Sequence, residues 1–363
     1  LMGRMLSAGT VRVALVGATQ QPAVVITRDG QAVELLTLDN GTVQCQLITY
    51  GAAIRALWVP DRQGRPVDVV LGYDTLAEYE TRDGHLGATV GRFANRIARG
   101  RFTLNGVDYS LAVNNGPNHL HGGLVGYSHR VWTVAELSDT RAVLTLDSPH
   151  GEEGYPGHLR VSAEFRLEGS ALHLCDRAET DRDTPVNLTN HSYFNLAGQG
   201  SGSVLDQQLC LHAARYTPAD ETSIPFGTMD PVEGTPMDLT RPGPIGAQID
   251  ADFQQLRWGH GYDHNFVVDG QPGTRRPAAR ACSGKTGISM EVETTTPGVQ
   301  LYTANFLGPS CPGKDGAVYD PRDAFCLETQ YFPDSPNQPA FPSAILRAGD
   351  VFEEETVFRF GVE

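Results

Sequence analysis

The chain has 363 residues, 40% of them apolar, and a formal net charge of −15 at pH 7. That length and apolar content allow a large core, while the negative charge argues against nucleic acid, whose phosphates need clustered cations. Lys285 and Lys314 are the only lysines, so a Schiff-base mechanism has few candidates, and no apolar run is long enough to span a membrane.

Residues 1–22 read as a poorly determined lead-in, without the long apolar stretch and cleavage site of a signal peptide. From residue 23 on, short β-branched and apolar runs alternate with turn residues, punctuated by 40 glycines and 23 prolines. The runs cover 23–27, 32–38, 43–50, 54–59, 67–71, 101–104, 131–137, 142–146, 159–167 and 171–178. They continue at 208–211, 265–268, 288–294, 299–306, 324–331 and 356–360. So many short strands predict an all-β fold, a large antiparallel β-sandwich or a barrel. Helical periodicity is confined to 75–80 and 244–247, one or two turns each. Segments 198–203, 270–287 and 309–323 read as loops. No linker divides the chain, so residues 23–363 are expected to form a single domain. The six cysteines are scattered with no CxxC pair, which predicts free thiols in a reducing compartment. Asn187 and Asn190 begin formal glycosylation sequons. A glycan there would cover the polar row described next, and a cytoplasmic location is expected.

Chemistry-bearing residues concentrate in six stretches. In residues 187–196, alternate positions Asn187, Thr189, His191, Tyr193 and Asn195 form a polar row centred on a histidine. Such a row suits a ligand made of hydroxyl groups, or is the solvated face of an antiparallel strand. In Gly91-Arg92-Phe93-Ala94-Asn95-Arg96-Ile97, Arg92 and Arg96 share one face and Asn95 the other. Either they form a surface arginine pair or they supply planar donors to a diol or carboxylate. Asn115-Gly116-Pro117-Asn118-His119-Leu120-His121-Gly122-Gly123 is a turn leading into a His-x-His pair. A metal is one reading of that pair, a neutral imidazole bonded to an oxygen ligand the other. Asp263 stands between His260 and His264 before an apolar run, where it accepts bonds from adjacent sugar hydroxyls or caps its own turn. Gln300 and Tyr302 share a face, polar to water or packed on a sugar. Glu328 lies inside a strand-like run, directly after the apolar Phe325-Cys326-Leu327, and so is either paired or functional.

Taken together these stretches resemble the aldose 1-epimerase family, the galactose mutarotases among them. The resemblance rests on Gly91-Arg92-Phe93-Ala94-Asn95-Arg96-Ile97, the Asn115 to Gly123 stretch, Asn190-His191-Ser192-Tyr193-Phe194-Asn195-Leu196, Gly261-Tyr262-Asp263-His264-Asn265-Phe266 and Leu327-Glu328-Thr329-Gln330, in that order. It implies a galactose mutarotase-like β-supersandwich with the site on a concave sheet face. It implies His191 as general acid, Glu328 as general base and His121 as an assistant near the ring oxygen. Asn95, Arg96, Asp263 and Gln300 would hold the sugar hydroxyls. The implied substrate is a free aldohexose such as galactose or glucose, with no metal and no cofactor, acted on by a monomer or weak homodimer. For His191 to carry its proton while Glu328 is ionised, the nearby carboxylate is expected to raise the His191 pKa. Two other readings share the residues. A hexose-6-phosphate 1-epimerase would need a cationic pocket, to which Arg92 and Arg96 would contribute, and a non-catalytic sugar-binding module would need no acid and base.

Overall fold

In the Leu159–Glu168 strand, Leu159, Val161, Ala163, Phe165 and Leu167 are buried, and the residues between them are exposed or half-buried. This period of two dictates a strand with one face on a core and the other toward water. The computed structural model, which describes residues 23–363, extends that pattern through an antiparallel nine-stranded sheet. Its order is Thr133–Leu137, Arg141–Ser148, Leu159–Glu168, Ala171–Thr180, Val351–Val362, Ile288–Thr294, Arg276–Cys282, Gln208–Leu211 and Gly243–Pro244. The expected lead-in, 1–22, lies outside the described residues.

A second sheet is a five-stranded meander from Ala23–Ile26 to Pro66–Asp68. A third, which carries the site, is ordered Asp230–Pro231, Arg215–Tyr216, Asp263–Val267, Gly298–Tyr302 and Cys326–Gln330. One hydrophobic cluster unites all three: Leu47 and Leu57 from the meander, Phe165 and Phe358 from the nine-stranded sheet, Phe266, Val299 and Leu327 from the third. The fold is therefore an all-β antiparallel sandwich. Two short α-helices occur among the described residues, Leu76–Thr81 and Gln254–Gly259. Thr75 caps the first, its Oγ1 accepting from the Glu78 amide and donating to the Glu78 carboxylate at 2.8 Å. Among the described residues no helix is long and apolar enough to cross a membrane.

Two expectations are corrected. Segment 270–287 is not a loop throughout: Arg276–Cys282 is an interior strand, paired on both sides. Its arginine misleads, because Arg276 is buried and donates to the carbonyls of Asp269 and Thr294. Its proline sits where the pairing register breaks, between Pro277 and Ala279, a position that tolerates a missing donor. Conversely, 187–196 is not one long strand. It has one short ladder, at Thr189–Asn190, and isolated bridges from Asn187 to Phe93 and from Phe194 to Val70 and Phe325. Asn190 Oδ1 accepts from the Ser192 amide at 3.1 Å and Asn195 Oδ1 from the Ala197 amide at 3.0 Å. These local turns compete with ladder pairing.

Candidate active site

The third sheet has a core face and a polar face. On Asp263–Val267, Gly298–Tyr302 and Cys326–Gln330 the register aligns Asn265 with Gln300 and Gln300 with Glu328. One residue row away, Asp263 aligns with Tyr302 and Tyr302 with Cys326. Period two puts these residues and Gln330 on one face, while Phe266, Val299, Leu301 and Leu327 go to the core. A strand with Glu between Leu327 and Thr329 thus makes sense: Glu328 faces the polar side of an otherwise apolar element.

Residues 187–196 run beside the Cys326–Gln330 strand, with Phe194 and Phe325 exchanging both backbone hydrogen bonds at 2.8 and 3.0 Å. All five members of the polar row, Asn187, Thr189, His191, Tyr193 and Asn195, are buried rather than solvated. The His191 backbone is pinned between Ala88 and Gly87. Its ring reaches Glu328, Nε2 to Oε1 3.2 Å, with side chains only 5% and 3% exposed. The contact is not aligned as a hydrogen bond. Glu328 Oε1 and Asn95 Oδ1 are both buried without a hydrogen-bond partner among the described residues. Orphaned acceptors of this kind are rare in a finished core and mark a place for something to bind.

His121 arrives from a loop. Its backbone is left-handed, φ 50°, which turns its side chain away from that of His119. The two histidines of the His-x-His pair therefore do not share a strand face. His119 is wholly buried, with Nδ1 2.7 Å from the Ala112 carbonyl and Nε2 2.6 Å from Tyr155 Oη. Gly122 follows at φ 82°, where a Cβ would lie 2.0 Å from the Gly91 carbonyl oxygen. Only glycine lets this loop close on the Gly91 segment. The same approach joins His121 to Asn95 twice: the His121 amide donates to Asn95 O, and the Asn95 amide donates to His121 Nδ1, each at 3.0 Å.

That second bond decides a tautomer. A ring nitrogen that accepts from an amide is unprotonated, so neutral His121 carries its proton on Nε2. His121, His191 and Glu328 place ligating atoms within 4.8 Å of one another, which on distance alone would suit a metal. The tautomer does not suit one. Ligation through Nε2 would force the proton onto Nδ1, against the Asn95 N–H. His121 is built as a hydrogen-bond donor.

Asn95, Gln300 and Asp263 are linked through a residue that sequence reasoning did not single out. Gln330 Nε2 lies 3.1 Å from both Asn265 Oδ1 and Gln300 Oε1, and Asn95 Nδ2 donates to Gln330 Oε1 at 3.4 Å. Gln300 Nε2 in turn donates to Asp263 Oδ1 at 2.9 Å. The signal for Gln330 was present, since it lies two residues after Glu328 on the same strand face. Arg96 is half-buried beside the site, its Nε donating to Asn115 Oδ1 at 3.0 Å. Arg92 is not there. It is 1% exposed, and its guanidinium donates to Ser148, Pro156, Gly157, Thr184 and Tyr127. It is neither a surface residue nor an anion receptor.

Electrostatics correct a further expectation. Burial pushes the His191 imidazole down to about 4 rather than up. Burial, reinforced by the Asp263 charge and opposed by Arg96, pushes the Glu328 carboxyl well above the usual range. Asp263 is also raised by burial. In a water-poor pocket the cost of each charge exceeds the gain from pairing them. Burial therefore disfavours the charged form of both members of the pair.

The sequence profile described as aldose 1-epimerase matches residues 34–359. The chain is 46% identical over 333 residues to galactose mutarotase of Mus musculus, covering 92% of this chain and 95% of that one. It is 34% identical over 339 residues to aldose 1-epimerase of Escherichia coli, covering 92% and 97%. Among solved structures, an aldose epimerase homologue from C. elegans superimposes with a TM-score of 0.83 at 28% identity, covering 91% of this chain and 99% of that one. Galactose 1-epimerase from Lactobacillus acidophilus gives 0.82 at 27%, covering 95% and 99%. The chain belongs to the aldose 1-epimerase family.

Proposed function

We propose that this enzyme interconverts the α and β anomers of free aldohexoses, galactose and glucose among them, by opening and reclosing the hemiacetal ring. The observation that carries this reading is the 3.2 Å contact between His191 and Glu328. Opening requires removal of a proton from the C1 hydroxyl and delivery of one to the ring oxygen. Both oxygens hang on the same carbon, so base and acid must lie close together. A pair holding a single proton is what the step needs: one member gives while the other takes.

In the opening direction Glu328 serves as base and His191 as acid; in reclosure they exchange roles. Rotation about C1–C2 between the two steps presents the other carbonyl face. Because the roles alternate, both placements of the proton lie on the reaction path. Hydrogen bonds from the sugar to Glu328 Oε1 favour the carboxylate, and the proton then passes to His191. His121 Nε2–H is a donor toward the ring oxygen, and Asn95, Arg96, Asp263 and Gln300 hold hydroxyls. Each positioned acid or base contributes about 10²–10⁴-fold. The six free thiols fit a reducing compartment such as the cytoplasm.

Polarimetry on freshly dissolved α-galactose tests the reading. Relaxation to the equilibrium rotation should accelerate in proportion to enzyme concentration; an unchanged rate refutes it. Glucose 6-phosphate should be the poorer substrate, because the guanidinium of Arg92 is already engaged inside the fold. Faster turnover of the phosphate would instead make the chain a sugar-phosphate epimerase.

A further inference from the structure

The orientation of the His191 ring poses a problem that the acid–base pair does not solve. A working imidazole is commonly held by a carboxylate or carbonyl at its other nitrogen. Among the described residues His191 Nδ1 has only the Cys326 sulfur, at 3.7 Å, a weak partner. The ring is held by other rings: Tyr193 at 5.1 Å and nearly parallel, His121 at 5.3 Å and edge-on, and His85 at 5.9 Å and 26° from parallel. His85 also meets His121 edge-on at 4.8 Å. Among the described residues it is the ring outside the assigned set that pairs with both imidazoles.

His85 is itself firmly anchored. Its Nδ1 lies 2.8 Å from Ser128 Oγ, and its backbone is left-handed at φ 58°. The carbonyl of the preceding Gly84 accepts from Tyr193 Oη at 2.6 Å. The segment that carries His85 is therefore tied to the other ring that stacks on His191. His85 also lines a small cleft together with Tyr50, Arg82, Ser128 and His129 among others.

We propose that His85, fixed by Ser128, is a positioning residue that holds the His191 and His121 imidazoles in register for ring opening. The inference rests on the acid–base reading given above. Its charge state suits the task. Burial, with His191 and His129 adding to the effect, pushes His85 down to about 3, so it is neutral at any working pH. The charged or titratable groups around this cluster are His121, His129 and His191, with Arg96 acting on His121, Asp83 on His129, and Glu328 in contact with His191. A neutral ring can stack on His191 without opposing the proton that His191 must accept.

The test uses His85→Phe, which keeps a ring but loses the anchor, and Ser128→Ala, which loses the anchor alone. Polarimetric kcat and KM for galactose are read beside the side-chain ¹⁵N signals of ¹⁵N-histidine-labelled protein. Each variant should lower kcat about tenfold, as partial misalignment does, with KM within twofold. The double variant should be no slower than His85→Phe alone, because both remove one device. The His191 and His121 ¹⁵N signals should shift in both variants. Unchanged kcat, a raised KM with kcat intact, or additive losses would overturn the proposal. If the wild type fails to accelerate relaxation, the acid–base reading has failed, and the ¹⁵N spectra still report whether His85 braces the rings.

Discussion

A carboxyl and an imidazole that meet at 3.2 Å with almost no solvent gain from pairing and lose from desolvation, and here desolvation is larger for both. This decides what substitution should do. Glu328→Gln should cut kcat by about 10²–10⁴-fold while leaving the thermal midpoint unchanged or higher, because the amide removes a group whose charged form the fold disfavours. Polarimetry and thermal unfolding check both halves, and a variant that keeps near wild-type turnover would remove Glu328 from the chemistry. His191→Asn should lose activity on the same scale. Both residues were legible from their motifs, and Glu328 also from its place inside an apolar run. The direction of the His191 shift was not. Sequence shows a neighbouring carboxylate but not that burial raises that carboxyl as well. Arg92 was misread for a related reason. Its acceptors at Ser148, Pro156, Gly157 and Thr184 are distant in sequence, so spacing alone could not tell a buried arginine from a surface one.

The elements that carry the site are short, and their precision comes from close backbone approaches rather than from long ladders. The His121–Gly122–Gly123 turn is the clearest case. Gly122→Ala would place a methyl 2.0 Å from the Gly91 carbonyl oxygen at a φ of 82°. It should destabilise the fold by about 1–3 kcal/mol and lower kcat, since His121 is bonded to Asn95 across the same approach. Denaturant unfolding and polarimetry together check this, and a variant with a wild-type midpoint and rate would show the turn to be slack. The long strands were legible from alternation, as at Leu159–Glu168. Arg276–Cys282 was not, because its buried apolar residues are the small Ala278, Ala279 and Ala281, interspersed with arginines that read as a loop. In 187–196 alternation was present, yet the side chains of Asn190 and Asn195 capture local amides and interrupt the pairing.

At the scale of the molecule, the nine-stranded sheet and the site sheet are not sealed by apolar contact alone. Between them lies a polar crevice lined by Asp176, Glu354, Asn190, Thr296, Thr329 and Thr356 among others. Asp176 and Glu354 stand directly opposite across neighbouring strands. Burial, then the Glu354 charge, raises Asp176 from 3.8 to about 7. An acid that holds its proton more tightly when folded stabilises the fold fully below its unfolded pKa. That contribution fades as pH rises through about 7. Asp176→Asn should therefore leave stability at pH 4 nearly unchanged and raise the thermal midpoint at pH 8 by about 2 °C, the shift for roughly 1 kcal/mol. An equal change at both pH values would contradict the linkage. The same enclosure of charge by the whole fold sets the protonation of the working pair, which makes the pH dependence of kcat/KM for galactose the most direct test. A buried pair that works with one proton should keep its activity down to an acid limb near pH 4, where His191 gains a second proton for the pair. An acid limb at or above pH 6.5 would mean that the imidazolium persists in the free enzyme, and the one-proton account would be wrong.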